Sequence, residues 1–245
     1  MVSAVVSMNN IVSLSGGKDS TAMLLMMLER NEPIHSVVFF DTGWEFPGVL
    51  QHIEVLECQT GLKFIRLYPL IPFDFLMTDR PVRDKKTKQI KRYGYEWPSA
   101  MRRWCTREKM RAINYYLNLF DDAVVCVGYA KDETQRIKNN SRHTKRYPLI
   151  EYGITESEAL KYCNDKGYYW FGLYEHFDRV SCFCCPLQKL SNIRILRKRY
   201  PAPWAKMLKM ESLKKTNTTG FRGYKSVHDL DRRFAEEDKQ TRLFK

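Results

Sequence analysis

The chain has 245 residues, 44% of them hydrophobic, which is enough for one sizeable core and too apolar for a disordered polypeptide. Lys and Arg number 41 against 28 Asp and Glu, a formal charge of +13 that favours an anionic partner such as a nucleotide or nucleic acid. No apolar run approaches the ~20 residues of a membrane-spanning helix, and "MVSAVVSMNN" lacks the basic start of a signal peptide, so a cytoplasmic location is expected. Along the chain, "NIVSLS" (10–15) predicts a first strand and 20–30 a helix. "SVVFFD" (36–41) has the continuous apolar character of a buried parallel strand. A helix follows over 47–60, then a strand "KFIRLY" (63–68). Residues 69–104 look irregular, with four prolines and the basic run "RDKKTKQIKR". A helix is expected over 106–119 and a fourth strand at "AVVCVGY" (123–129). From 176 onward come a cysteine cluster, basic helical patterns and a charged tail.

This rhythm of strands and helices implies an α/β fold with a doubly wound parallel sheet. The expected division is a nucleotide-binding domain over 1–175 and a cysteine-cluster and helical extension over 176–245. Ligands of such sheets bind where strands end at their carboxyl side. The loops 15–20, 41–46 and 129–136 fall there.

"SGGKDS" joins the first strand to the first helix. Gly16 and Gly17 permit a tight turn and close backbone approach. Backbone N–H groups at a helix start bind anions, Ser15 and Ser20 can donate hydroxyls to phosphate, and Lys18 adds charge. It is not a Walker loop, which needs Gly where Val12 stands and Ser or Thr where Asp19 stands.

The string resembles the pyrophosphate (PP) loop of the adenine nucleotide α-hydrolase superfamily. Such proteins bind ATP, typically cleave it to AMP and pyrophosphate, and usually use Mg2+. Three more blocks, "FFDTGWEFPGVLQHIEVL", "RRWCTREKMRAI" and "VGYAKDETQRIKN", resemble the phosphoadenylyl-sulfate (PAPS) reductase family. The resemblance spans about residues 10–187. It implies that Ser15, Gly16, Gly17, Lys18, Asp19 and Ser20 hold phosphate and that Asp41, Thr42 and Gly43 lie at the nucleoside. It also implies that Arg136 faces an anionic substrate, against the plain alternative of a solvated surface arginine. Lys18 and Asp19 are candidate catalytic residues.

The seven cysteines read as thiols or metal ligands rather than disulfides in a reducing compartment. Cys182, Cys184 and Cys185 form "SCFCCP", with metal-ligand spacing from Cys182 to Cys185. Cys58, Cys126 and Cys163 read as core residues. Iron–sulfur relatives carry a Cys-Cys pair in the middle block, and here it is Cys105 followed by Thr106. Cys105, Cys182 and Cys185 match three ligands of a 4Fe-4S cluster. Cys184 is a fourth ligand or a separate catalytic thiol, and zinc is the competing metal.

Three functions compete. One is an ATP-dependent nucleic-acid modification enzyme of sulfurtransferase type, acting on tRNA or DNA. Another is a sulfonucleotide reductase or sulfate-activation enzyme; the lack of cysteine in 186–245 and the complete loop count against reduction. The third is a non-catalytic nucleotide- or nucleic-acid-binding regulator. A basic stretch over 80–111, with Tyr93, Tyr95 and Trp97 interleaved, suits phosphate contacts with base stacking. Basic patterns near 189–215 extend it. The sulfur or electron donor is left open, as is a homodimer.

Overall fold

The computed structural model describes residues 9–137, 142–180 and 182–243. Lys138 and Asn139 of "VGYAKDETQRIKN", Ser181 of "SCFCCP" and residues 1–8 of the N-terminal stretch lie outside the described residues. Strand β1 (Asn9–Leu14) leads into α1 (Lys18–Glu29), β2 (Ser36–Phe40), α2 (Pro47–Thr60) and β3 (Phe64–Leu67). Then come α3 (Phe73–Thr78), β4 (Pro81–Arg83), β5 (Ile90–Tyr93), α4 (Trp104–Leu117), β6 (Ala123–Val127) and β7 (Thr144–Arg146). The remaining helices are α5 (Pro148–Glu151), α6 (Glu156–Asp165), α7 (Leu173–His176), α8 (Leu190–Arg199), α9 (Pro201–Leu213) and α10 (Val227–Leu243). Short 3-10 turns stand at Lys131–Arg136 and Trp170–Gly172.

Backbone contacts divide the chain into two interleaved units, 1–41 with 47–68 and 109–180, and 42–46 with 69–108 and 181–245. The expected boundary at residue 176 cuts the chain once, whereas these units exchange it several times.

The first unit holds a five-stranded sheet in the order β3-β2-β1-β6-β7, with every neighbouring pair parallel. The strand order runs one way from β1 to β3 and the other way from β6 to β7, the doubly wound pattern. Its switch point lies between β1 and β6, where ligands of open α/β sheets bind. Ile11 of β1 stands opposite Ser36 of β2 and Val125 of β6. Ile11, Val38 and Val125 pack with Ile113 and Leu117 of α4 as one buried cluster. Burial within the sheet is why β1, β2 and β6 are near-continuous apolar runs. β7, the edge strand "TKR", is short and polar, and no apolar pattern announces it.

The second unit is organised by aromatic rings. Trp44 packs edge-on against Phe73 at 5.4 Å and Trp104 at 5.8 Å, and lies 6.0 Å from Trp97. The expectation that 69–104 is irregular is corrected here. It contains α3 and an antiparallel hairpin of β4 and β5, and the basic run forms the hairpin and its turn. Asp84 accepts the backbone N–H groups of Lys86 and Thr87 at 2.8 and 3.0 Å, which closes that turn. The charged tail is the helix α10, seated through buried Val227, Leu230 and Phe234. Among the described residues, no helix is long and apolar enough to cross a membrane.

Candidate functional site

β1 ends at Leu14 and α1 begins at Lys18, two residues before the helix expected from Ser20. Lys18 and Asp19 therefore lie in the helix's first turn. Gly16 adopts φ of +77°, and a Cβ there would meet Val49 Cγ1 at 2.8 Å, so only glycine fits. Ser20 ties the turn together. Its Oγ accepts the Ser15 backbone N–H at 3.1 Å, donates to the Gly17 carbonyl at 3.1 Å and lies 3.0 Å from Ser15 Oγ. Gly128, just past β6, comes so close that a Cβ would sit 2.9 Å from the Ser20 backbone nitrogen. The two strands at the switch point thus bracket the start of α1. The structure brings Ser15, Gly16, Gly17, Lys18, Asp19 and Ser20 together as one turn.

Lys18 is buried, and its Nζ donates to Asp19 Oδ1 at 2.8 Å and Glu156 Oε2 at 2.9 Å. Burial alone would lower its pKa; the hydrogen bonds and charges of the two carboxylates outweigh that and hold it above its ordinary value. Burial pushes Asp19 up, against the pull of Lys18, with Glu156 and Glu133 adding repulsion. Glu156 is held low, chiefly by Lys18. Glu133 is itself buried, and its Oε2 has no hydrogen-bond donor. Lys18 thus arrives neutralised, not as the bare positive charge expected from the motif. Glu156, 138 residues from Lys18, carries no local sequence signal.

The segment 168–174 was equally invisible in the sequence. Trp170 Nε1 donates to the Gly16 carbonyl at 2.7 Å. Tyr174 Oη accepts the Lys18 backbone N–H at 2.8 Å. Lys18 is the first residue of α1, so its N–H has no partner within the helix, and a distant tyrosine supplies one.

Asp41 follows β2, and its N–H donates to the Leu67 carbonyl at 2.9 Å. Thr42 and Gly43 belong to the second unit. Thr42 is buried; its hydroxyl donates to Glu45 Oε1 at 2.8 Å and accepts the Trp44 N–H at 3.0 Å. The Gly43 carbonyl accepts from Lys206 Nζ at 3.1 Å. The Cys182 thiol donates to Glu45 Oε1 at 3.4 Å and lies 3.5 Å from Thr42 Oγ1. Glu45, one more residue missed in the sequence, links the Asp-Thr-Gly turn to the cysteine segment.

All four clustered cysteines lie in the second unit, as free thiols. Cys105 stands in the first turn of α4. Cys184 is buried, and burial raises its thiol pKa well above the ordinary value, with Cys182, Cys185, Glu45 and Cys105 adding repulsion. Burial raises Cys105 too, with a contribution from Cys185. Cys184 lies within electrostatic reach of the other three thiols, and thiols are the soft donors that bind iron–sulfur clusters or zinc. Among the described residues, no three His, Cys, Asp or Glu side chains converge as a ready site for a single ion. Cys126 and Cys163 are buried as expected, but Cys58 is exposed on α2, not in the core.

Arg136 donates to Glu133 and lies 4.4 Å from the Tyr129 ring centroid, on the 3-10 turn after β6. It is paired, and its side chain is 37% exposed, which leaves one face open. The basic stretch divides in two. Lys85, Lys86 and Lys88 are exposed at the hairpin turn. Arg92 and Arg102 instead pair with the buried carboxylate of Glu96. Trp97 is not a stacking platform, because it is buried and donates to Glu211 at 2.8 Å. Many cations of 189–215 are likewise spent internally: Arg194 on Glu237, Arg197 on Asp231 and Asp238, and Lys214 on Glu211.

The switch-point sheet and its glycine turn define an α/β protein with a PP-type loop. Residues 9–188 match the phosphoadenosine phosphosulfate reductase domain, and the chain belongs to that family. An uncharacterized protein of Methanocaldococcus jannaschii, MJ0066, is 28% identical over 216 residues, covering 80% of this chain and 40% of that protein. An uncharacterized 37.8 kDa protein in the gpa 5′ region of Escherichia phage 186 is 42% identical over 52 residues, 21% of this chain and 15% of that protein. The chain thus spans less than half the length of these curated relatives. Among solved structures it is similar to the PAPS reductase of Candida auris in its phosphate complex, with TM-score 0.47 and 15% identity, covering 70% of this chain and 81% of that one. It is also similar to the U34-tRNA thiolase NcsA of Methanococcus maripaludis with its 4Fe-4S cluster, with TM-score 0.46 and 15% identity, covering 93% of this chain and 81% of that one.

Proposed function

We propose that the chain binds ATP on the Ser15–Ser20 turn, cleaves it between the α and β phosphates, and supports sulfur transfer to a nucleic acid. The observation that carries this is the turn itself, a complete SGGKDS string at the switch point with its lysine held between two carboxylates. The N–H groups of Asp19 and Ser20 and the Ser15 hydroxyl take the β and γ phosphates, while Ser20, whose proton goes to the Gly17 carbonyl, shapes the turn that presents them. An acceptor oxygen attacks the α phosphorus, the bond to the β-phosphate oxygen breaks, and pyrophosphate leaves into those donors. Charge grows on the leaving pyrophosphate, and preorganised donors lower the barrier by meeting it. Lys18 stays protonated because Asp19 and Glu156 hold it so, and Asp19 thereby fixes its position. Asp41, Thr42 and Gly43 are assigned to the nucleoside, and Arg136 to the acceptor's phosphate.

Mg2+ commonly takes one or two carboxylates and fills its other positions with phosphate and water. Asp19 and Glu133, whose buried Oε2 lacks a donor, fit that role. Cys105, Cys182 and Cys185 would hold a 4Fe-4S cluster, with Cys184 as the fourth thiol beside them. With three protein ligands, such a cluster supplies an open iron able to bind sulfide. Exposed Lys85, Lys86 and Lys88 supply phosphate contacts for the nucleic acid.

Product analysis with tRNA or DNA as acceptor tests this reading. AMP and pyrophosphate are expected, and Ser15→Ala or Asp19→Ala should abolish both. ADP and phosphate would overturn it. The family's own description favours a second reading, sulfonucleotide reduction. Tight binding of adenylyl sulfate or its 3′-phosphate, with no nucleic acid bound, would select that reading.

A further inference from the structure

Trp170, Phe171 and Gly172 have φ of +48°, +52° and +81°, three successive residues in the left-handed region. For tryptophan and phenylalanine this conformation is strained, and it persists only where the surroundings enforce it. Here the enforcement is visible. Trp170 is 1% exposed, stacks on His52 at 4.4 Å and donates to the Gly16 carbonyl at 2.7 Å. The bend carries the chain from Trp170 into α7, where Tyr174 packs edge-on against Trp170 with centroids 4.8 Å apart. One short segment therefore grips two successive groups of the phosphate turn, the Gly16 carbonyl through Trp170 and the Lys18 N–H through Tyr174.

The hydrogen-bond arithmetic at Tyr174 is unequal. A phenol has one proton to donate and can also accept. Its oxygen already accepts the Lys18 N–H at 2.8 Å. Its proton has no acceptor among the described residues. The oxygen lies only 3.3 Å from where a Gly17 Cβ would stand, at the mouth of the helix start. An anion bound on the next N–H groups of α1, those of Asp19 and Ser20, would lie beside that hydroxyl.

We propose that Tyr174 is a phosphate-binding residue of the PP loop, its oxygen fixed by the Lys18 N–H and its proton donated to the pyrophosphate portion of ATP, with the strained Trp170–Gly172 bend as the brace that aims it. This rests on the ATP-binding reading above. It adds a donor from a segment some 150 residues beyond the motif. Because the donor touches the pyrophosphate in both ATP and product, it acts on binding of each, and Trp170 is a positioning residue.

The test is calorimetric titration of the whole protein with inorganic pyrophosphate and with a non-cleavable ATP analogue. Tyr174→Phe should weaken both about tenfold, the ordinary size of a charge-assisted hydrogen bond. Trp170→Phe keeps a ring but deletes the N–H, and should weaken both by a smaller factor, about threefold. Thermal midpoints without ligand show whether each variant is folded. A folded Tyr174→Phe protein with unchanged or tighter binding overturns the proposal, since a purely structural cap would lower the midpoint and spare the affinity. If Tyr174→Phe does not fold, the wild-type protein decides. Pyrophosphate should then give a near-ultraviolet tyrosine difference spectrum, and its absence overturns the proposal. Failure of wild-type protein to bind either ligand counts against the ATP reading itself, a separate result from a silent Tyr174→Phe.

Discussion

Cys184 is 1% exposed while Cys105, Cys182 and Cys185 are each partly open. Thiolates are the metal-binding and nucleophilic form, and a thiol pushed up by burial is a poor nucleophile. Replacing Cys105, Cys182 or Cys185 with Ser should remove most iron from anaerobically prepared protein, and Cys184→Ser should leave it. Iron and sulfide assays decide this. Equal loss at Cys184 would mean four protein ligands, and stoichiometric zinc without iron would end the cluster reading. At Lys18 the consequence is one of stability as well as binding. Lys18→Met would leave Asp19 and Glu156 facing each other. A fully buried broken pair costs ~3–5 kcal/mol, but both carboxylates reach solvent, so about 2 kcal/mol is expected by urea denaturation.

At the scale of elements, α2 carries a pH response. His52 is 2% exposed, its Nε2 lies 2.9 Å from Thr21 Oγ1 of α1, and burial lowers its pKa from 6.5 to about 4. The unfolded chain takes up a proton first as pH falls. This contribution is therefore intact above pH 6.5 and is lost progressively between pH 6.5 and about 4. At ~1.36 kcal/mol per pH unit it amounts to about 3 kcal/mol. Denaturant midpoints of wild type should fall across that window, and those of His52→Gln should fall less; parallel curves would refute the assignment. Legibility also varied by element. β1, β2 and β6 are readable because parallel strands buried on both faces are continuous apolar runs, whereas the edge strand β3 is half-buried and carries Arg66. The β4–β5 hairpin is not readable, since Pro81, Pro98 and a string of lysines hide a polar, solvent-facing ribbon. The Ser15–Ser20 turn is a local string and is legible as a strand-to-helix turn. Glu156, Trp170 and Tyr174 reach it from more than 130 residues away, and only folding reveals them.

For the whole molecule, the charge of +13 overstates the free positive surface, because many arginines serve internal carboxylates. The hairpin turn is a different case, with three exposed lysines in four residues, Lys85 to Lys88. Phosphate contacts release counterions, so changing all three to Ala should reduce the salt slope of nucleic-acid binding by about 2–3. ATP affinity should be unchanged, and titrations of tRNA and duplex DNA at two salt concentrations measure both. An unaltered slope would remove the hairpin from the interface. The interleaving of the two units also sets an order of manufacture. Every segment of the first unit has been made by residue 180, but the second still awaits 181–245. Synthesis proceeds at ~5–20 residues per second, so Cys105 spends several seconds on the ribosome before Cys182 to Cys185 follow it. The first unit can close while the thiol set is still incomplete, so the four thiols come together only after the parallel sheet can already have formed.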